Sequence, residues 1–149
     1  MEPDQLFIFF NRSILPAWLL LIFAPRWRWT QAIIFHAWIP SFLAVFYIYA
    51  FVSNPVFPED GNFLTLEGVM VLFQQPYLVL AGWIHYLAFD LFIGAWQVRD
   101  AQRRDIHHLW VVPCLIMTLV FGPAGLLLYF IVRYWLVRTL TTREVDIAS

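Results

Sequence analysis

Hydrophobic positions gather in four long blocks separated by short polar or aromatic-basic breaks, a spacing set by bilayer thickness rather than by a soluble core. The first block covers residues 5–24 and closes at Pro25 and the stretch "RWRW", where Arg26 and Arg28 mark water. The second covers 30–52, carries His36 and a predicted kink at Pro40, and ends at Pro55 and Pro58. The third covers 77–98. The fourth, 109–137, is interrupted by Pro113 and by "GPAG" at 122–125. Between the second and third blocks, "FPEDGNF" and "LTLEGVMVLFQQ" are too short and too mixed to cross and predict an amphipathic or re-entrant helix over 62–76. The expected fold is an all-α integral membrane protein. It is a single membrane domain, 1–149, built as a four-transmembrane-helix bundle with that short helix between spans two and three and a Gly/Pro break in span four.

Composition agrees with this pattern. Of 149 residues, 62% are apolar and 13% charged, and the mean hydropathy is +0.71, outside the soluble range. The basic residues are all arginine and the net charge is −1, so the chain lacks the basic face that nucleic-acid binding requires. Cys114, the single cysteine, excludes an internal disulfide and any thiolate metal pair. The N-terminus shows no cleavable signal pattern, so the first helix is expected to stay. Arginine placement predicts an N-out, C-out topology, because Arg26, Arg28, Arg99, Arg103 and Arg104 lie in the loops of one side. Arg133, Arg138 and Arg143 conflict with it unless "GPAG" folds the last run back; a broken crossing helix is the preferred reading.

The chemistry lies in "AGWIHYLAFDLFIGAWQVRD", residues 81–100. Asp90 sits roughly 12 Å from the end of its span at 1.5 Å per residue. An ionised aspartate at that depth costs about 2.5–3.5 kcal/mol unless it is protonated, paired or facing a polar cavity. His85 is offset by about 140° around the helix, so the two do not form a local dyad; Tyr86 and Gly94 share the face of Asp90. Partners must come from other helices. Asn11 and Arg12 lie near the level of His85 and His36 near that of Asp90, which predicts a polar chamber of Asn11, Arg12, His36, His85 and Asp90, lidded by the glutamines of 62–76. The alternative is an Arg12 that snorkels outward and histidines satisfied in the core. Likewise "GPAG" either opens the amides of a half-helix into the chamber or is a packing kink.

Three stretches, "WIHYLAFDLFIGAW", "NRSILPAWLLL" and "FGPAGLLLYFIVR", resemble the plant abscisic-acid-deficient neoxanthin-synthase type of membrane protein and its bacterial homologues. The family's pattern maps onto Trp83, Ile84, His85, Asp90, Leu91 and Phe92, and its Pro-x-Gly element onto Pro123 and Gly125. The resemblance implies carotenoid chemistry, a non-redox isomerisation of an epoxide end group to an allene. Such a step requires an acid at the epoxide oxygen, a base for the adjacent polyene proton, and exclusion of water. The implied candidates are His85 as acid, Arg12 stabilising the oxygen, and Asp90 or His36 as base. Asn11, Trp38, Trp83, Tyr86, Gly94, Gly122, Pro123 and Gly125 are the implied substrate contacts. Lacking a plastid-targeting extension, the chain looks bacterial, with an expected place in a bacterial inner membrane or a cyanobacterial thylakoid or plasma membrane.

The alternatives are a non-catalytic carotenoid-binding or assembly factor and a small proton- or ion-conducting bundle. Expected partners are a carotenoid or other isoprenoid lipid and membrane lipids, with a homodimer groove as a way to enlarge a thin bundle. No cofactor is expected. Trp27, Trp29, Trp110 and Trp135 fit an interfacial belt, leaving Trp38, Trp83 and Trp96 for a cleft. No metal is expected either: Asp105, His107 and His108 read as a solvated loop, and nothing in the spacing of His36, His85 and Asp90 demands an ion.

Overall fold

A computed structural model of the chain describes residues 2–53 and 57–142; Pro55 and Arg143, used above, lie outside the described residues. Among the described residues the chain is all-helical, with no strand. The helices are α1 (Pro3–Phe23), α2 (Arg28–Ile33), α3 (Trp38–Val52), α4 (Leu66–Leu72), α5 (Pro76–Arg103), α6 (His108–Phe121) and α7 (Pro123–Val137). The all-α expectation is met, but among the described residues only α1 and α5 are long and apolar enough to cross a membrane. α3, α6 and α7 are apolar and shorter.

The chain divides into two compact units, and the division passes through α1 and α5. The first unit comprises Met1–Pro16 with Ala37–Phe89, and the second Ala17–His36 with Asp90–Ser149. In the first unit, Leu6, Phe10, Leu43, Leu72, Ala81 and Ile84 are buried. In the second, Trp18, Leu21, Leu91, Val98, Val111 and Leu115 are buried.

The second predicted span is not one helix. α2 stops at Ile33, a turn follows, and α3 restarts after Ala37, whose φ of 57° is left-handed. The expected kink at Pro40 does not form, because Pro40 falls in the first turn of α3, where a missing amide hydrogen costs nothing. Within the second unit the turn is held by Arg99, which donates to the Phe35 carbonyl at 3.2 Å. The segment between α3 and α5 does carry the short helix expected there. α4 starts where Thr65 Oγ1 accepts from the Gly68 amide at 3.1 Å, and Asn62 Oδ1 accepts from the amides of Leu64 and Thr65.

α5 outruns its predicted end and closes at Arg103. Asp105 follows in the left-handed region (φ 54°), and the Ile106 amide returns to the Ala101 carbonyl at 2.9 Å, a Schellman closure.

The last apolar run is not a broken crossing helix. Gly122, at φ 50° and ψ −103°, ends α6 in a conformation that side chains avoid, and Pro123 begins α7 where its missing amide is harmless. α7 then returns along α6. A Cβ on Gly125 would overlap the backbone of Thr118, and Leu136 and Val137 share a depression with Trp110. Each arm measures about 21–23 Å at 1.5 Å per residue, short of a hydrocarbon core of roughly 30 Å. Arg133, assigned by sequence to the side opposite Arg104, instead meets the end of α5, so that part of the N-out, C-out reading is corrected.

Candidate functional site

The first unit holds an apolar cleft of about 290 Å³ between α3, α4 and α5. Tyr47 and Phe51 form one wall, Leu72 and Phe73 a second, and Ala81, Gly82 and His85 the floor, with Phe63, Val69 and Leu78 completing it. Gly82 lets Phe73 approach α5: a Cβ there would stand 3.0 Å from the Phe73 ring. The cleft's polar groups are the His85 imidazole and the Tyr47 hydroxyl, whose rings are 5.9 Å apart. His85 lies flat against Phe89, ring centres 4.4 Å apart. Neither the His85 ring nitrogens nor the Tyr47 hydroxyl has a hydrogen-bond partner among the described residues. An imidazole can donate and accept, and so can a phenol.

Beside it in the same unit, Trp83 Nε1 donates to Asn11 Oδ1 at 2.7 Å, joining α1 to α5. Trp83 also packs against Phe7 and Tyr86, each at 5.3 Å between ring centres. Asn11, Trp83 and Tyr86, three expected substrate contacts, therefore form one cluster of their own. Arg12 and Trp38 are exposed, and Arg12 adds no guanidinium to the interior. The helix face carries Arg12 outward while Phe10 and Ile14 are buried.

The remaining expected residues belong to the second unit. Asp90 is buried. His36 is exposed in the turn after α2, and its Nδ1 donates to the Gln31 carbonyl at 3.0 Å, so it is neither at depth nor in a core. Gly94 and Gly125 are packing glycines rather than open floor. A Cβ on Gly94 would come within 2.8 Å of the Trp18 ring, and Gly125 lies on Thr118. Gly122 is the hinge and Pro123 the exposed first residue of α7. The reading of "GPAG" as a source of free amides is replaced by the fold-back just described.

Sequence reasoning missed a second buried polar assembly in this unit. Asp100 Oδ1 accepts from Arg104 Nε at 3.0 Å, and its Oδ2 accepts from the Tyr129 hydroxyl at 2.7 Å, with Arg133 at 3.1 Å. The Thr141 carbonyl accepts from Arg104 and from Arg133. One turn back along α5, Gln97 Nε2 donates to Thr118 Oγ1 at 3.0 Å. Gln97, Asp100 and Arg104 repeat at helical spacing on one face, the signal that could have revealed them. They were hidden because span three was ended at 98, which made Asp100 and Arg104 loop residues. These groups hold the α6–α7 hairpin to α5, with Arg133 Nη1 facing Asp100 as an ion pair.

Among the described residues no group of three or more histidine, cysteine, aspartate or glutamate side chains could hold a metal ion.

The fold and cleft define a small, apolar, all-helical protein with two membrane-length helices and an aromatic recess that presents an imidazole and a phenol. The chain belongs to the ABA DEFICIENT 4-like (ABA4-like) family, which matches residues 5–129 and so includes the cleft and the first turns of α7. Membership places it with proteins of the carotenoid and abscisic-acid pathway. No curated protein and no solved structure matches the chain.

Proposed function

We propose that the protein is a multi-pass membrane protein that takes the end group of a carotenoid into the cleft of the first unit and isomerises it without redox change. The supporting observation is the pairing of apolar aromatic walls with two polar groups, the His85 imidazole and the Tyr47 hydroxyl, that have no hydrogen-bond partner among the described residues. At about 290 Å³ the cleft suits one ring of a polyene and not its whole length, so the conjugated chain would lie outside, along the apolar surface of the helices.

For an epoxide end group the step balances within the substrate. The carbon–hydrogen bond of the adjacent polyene carbon breaks, its electron pair forms the new double bond, the carbon–oxygen bond opens, and the oxygen takes a proton. A neutral imidazole serves as the base and the phenol as the proton donor, the resulting imidazolium then returns its proton to the phenolate so that both groups reset, and the hydrophobic walls keep water from the developing cation. His85 thus keeps a catalytic place, as base rather than acid, and Tyr47 takes over the oxygen contact expected of Arg12. The second reading is a carotenoid-binding protein without catalysis, which the mostly apolar and aromatic lining of the cleft supports.

The test is expression in a bacterium that accumulates an epoxy-carotenoid, followed by pigment separation. A new isomeric product that disappears in His85→Gln supports the isomerase. Unchanged pigments that copurify with the protein support binding alone, and unchanged pigments that do not copurify would contradict both.

A further inference from the structure

A larger recess, about 380 Å³, lies in the second unit where the loop after α1 meets the connection between α5 and α6. Its walls are held by two long-range bonds: His108 Nε2 donates to the Ile22 carbonyl at 2.9 Å, and Gln102 Nε2 donates to the Pro25 carbonyl at 3.4 Å. Phe23 and Ile106 supply an apolar side, while Arg26, Trp27, Asp105 and His107 supply a polar one. The Arg26 guanidinium and the Asp105 carboxylate have no hydrogen-bond or ion-pair partner among the described residues. His107 Nδ1 accepts from the Leu109 amide, which leaves its hydrogen on Nε2 as a further donor. Asp105 also occupies the left-handed residue of the α5 closure, a place where glycine is the unstrained choice and a side chain costs about 1 kcal/mol.

The geometry points to a binding site for one phospholipid headgroup of the zwitterionic, primary-amine class: the phosphodiester on Arg26 and His107, the ammonium on Asp105, and the first acyl carbons against Phe23 and Ile106. The recess lies where α1 ends in an aromatic-basic stretch, the level at which headgroups meet membrane proteins. An anionic headgroup without the amine would meet the Asp105 carboxylate unpaired. A quaternary amine would bring no hydrogen to donate to it. The site rests on the reading of α1 and α5 as membrane crossings and is independent of the carotenoid cleft.

The purified full chain, stripped of lipid in detergent, would be titrated with phosphatidylethanolamine, phosphatidylcholine and phosphatidylglycerol of identical acyl chains, with bound lipid read by native mass spectrometry. The wild type is expected to prefer phosphatidylethanolamine about threefold over phosphatidylcholine, the scale of an exposed ion pair. Asp105→Asn removes that preference and raises phosphatidylglycerol binding. Asp105→Gly, which suits the backbone better, does the same, separating the carboxylate from the fold. Equal binding of the three lipids by the wild type, or a preference that survives both substitutions, would overturn the assignment. So would displacement of the lipid by millimolar soluble phosphoethanolamine, which would make a free ligand the occupant. Release of the wild-type chain from membranes by alkaline carbonate would instead remove the membrane reading itself.

Discussion

Arg133 near the end of α7 and Asp100 near the end of α5 meet at 3.1 Å with the guanidinium fully buried. A lone buried charge is far more costly than a buried pair, so removing one partner leaves the other uncompensated. Asp100→Ala should lower stability by about 3–5 kcal/mol in a thermal or denaturant melt in detergent. Replacing both members with apolar residues should recover much of that loss. Equal destabilisation by the double variant would show that the pair does not act as a unit.

The same contact predicts sidedness. In a Cys114→Ala background, cysteines at Arg103 and Thr142 should react with a membrane-impermeant maleimide from the same face of sealed vesicles. Labelling of the two positions from opposite faces would restore the crossing helix. The native thiol is buried and should not interfere even before its removal.

Gly125 permits the close approach of α7 to α6, because any Cβ there overlaps the Thr118 backbone. Gly125→Leu should therefore cost about 1–3 kcal/mol as an overpacking change and broaden the thermal transition. A wild-type melting temperature in this variant would mean that the two arms are not packed as described.

Asn11 and Trp83 join α1 to α5 through one hydrogen bond. Trp83→Phe and Asn11→Ala should each lose stability, and a double-mutant cycle should return a coupling of about 1 kcal/mol, the net value of a neutral hydrogen bond. Strict additivity would remove that contact from the account.

The long elements were legible because hydropathy and length act locally: α1 and α5 follow from uninterrupted apolar runs, and the inward turn of Asp90 from the cost of an aspartate at depth. The breaks were less legible. Nothing local distinguishes a "GPAG" that kinks a crossing helix from one that reverses it; Arg133 decides, and its partner Asp100 had been assigned to a loop. Counting along an apolar run places His36 at depth, whereas α2 stops at Ile33 and His36 lies exposed in the turn that leads to α3. The cleft escaped notice because its far walls, Tyr47, Leu72 and Phe73, come from segments whose register against α5 is a tertiary property. His85 was identified by type and context, and its partners were not.

The central claim is that the first-unit cleft holds a carotenoid end group, and filling that cleft tests it most directly. Gly82 lines the recess with the Phe73 ring 3.0 Å from where its Cβ would stand, so the side chain of Gly82→Leu must displace Phe73 and fill space that a ring would take. After expression in a carotenoid-producing host and purification in detergent, the absorption spectrum gives pigment bound per chain. The wild type should retain close to one carotenoid per chain, while Gly82→Leu, less stable by about 1–3 kcal/mol but measured at a temperature where both chains stay folded, should retain at most about a tenth of that. Equal pigment in both proteins, or none in either, would contradict it.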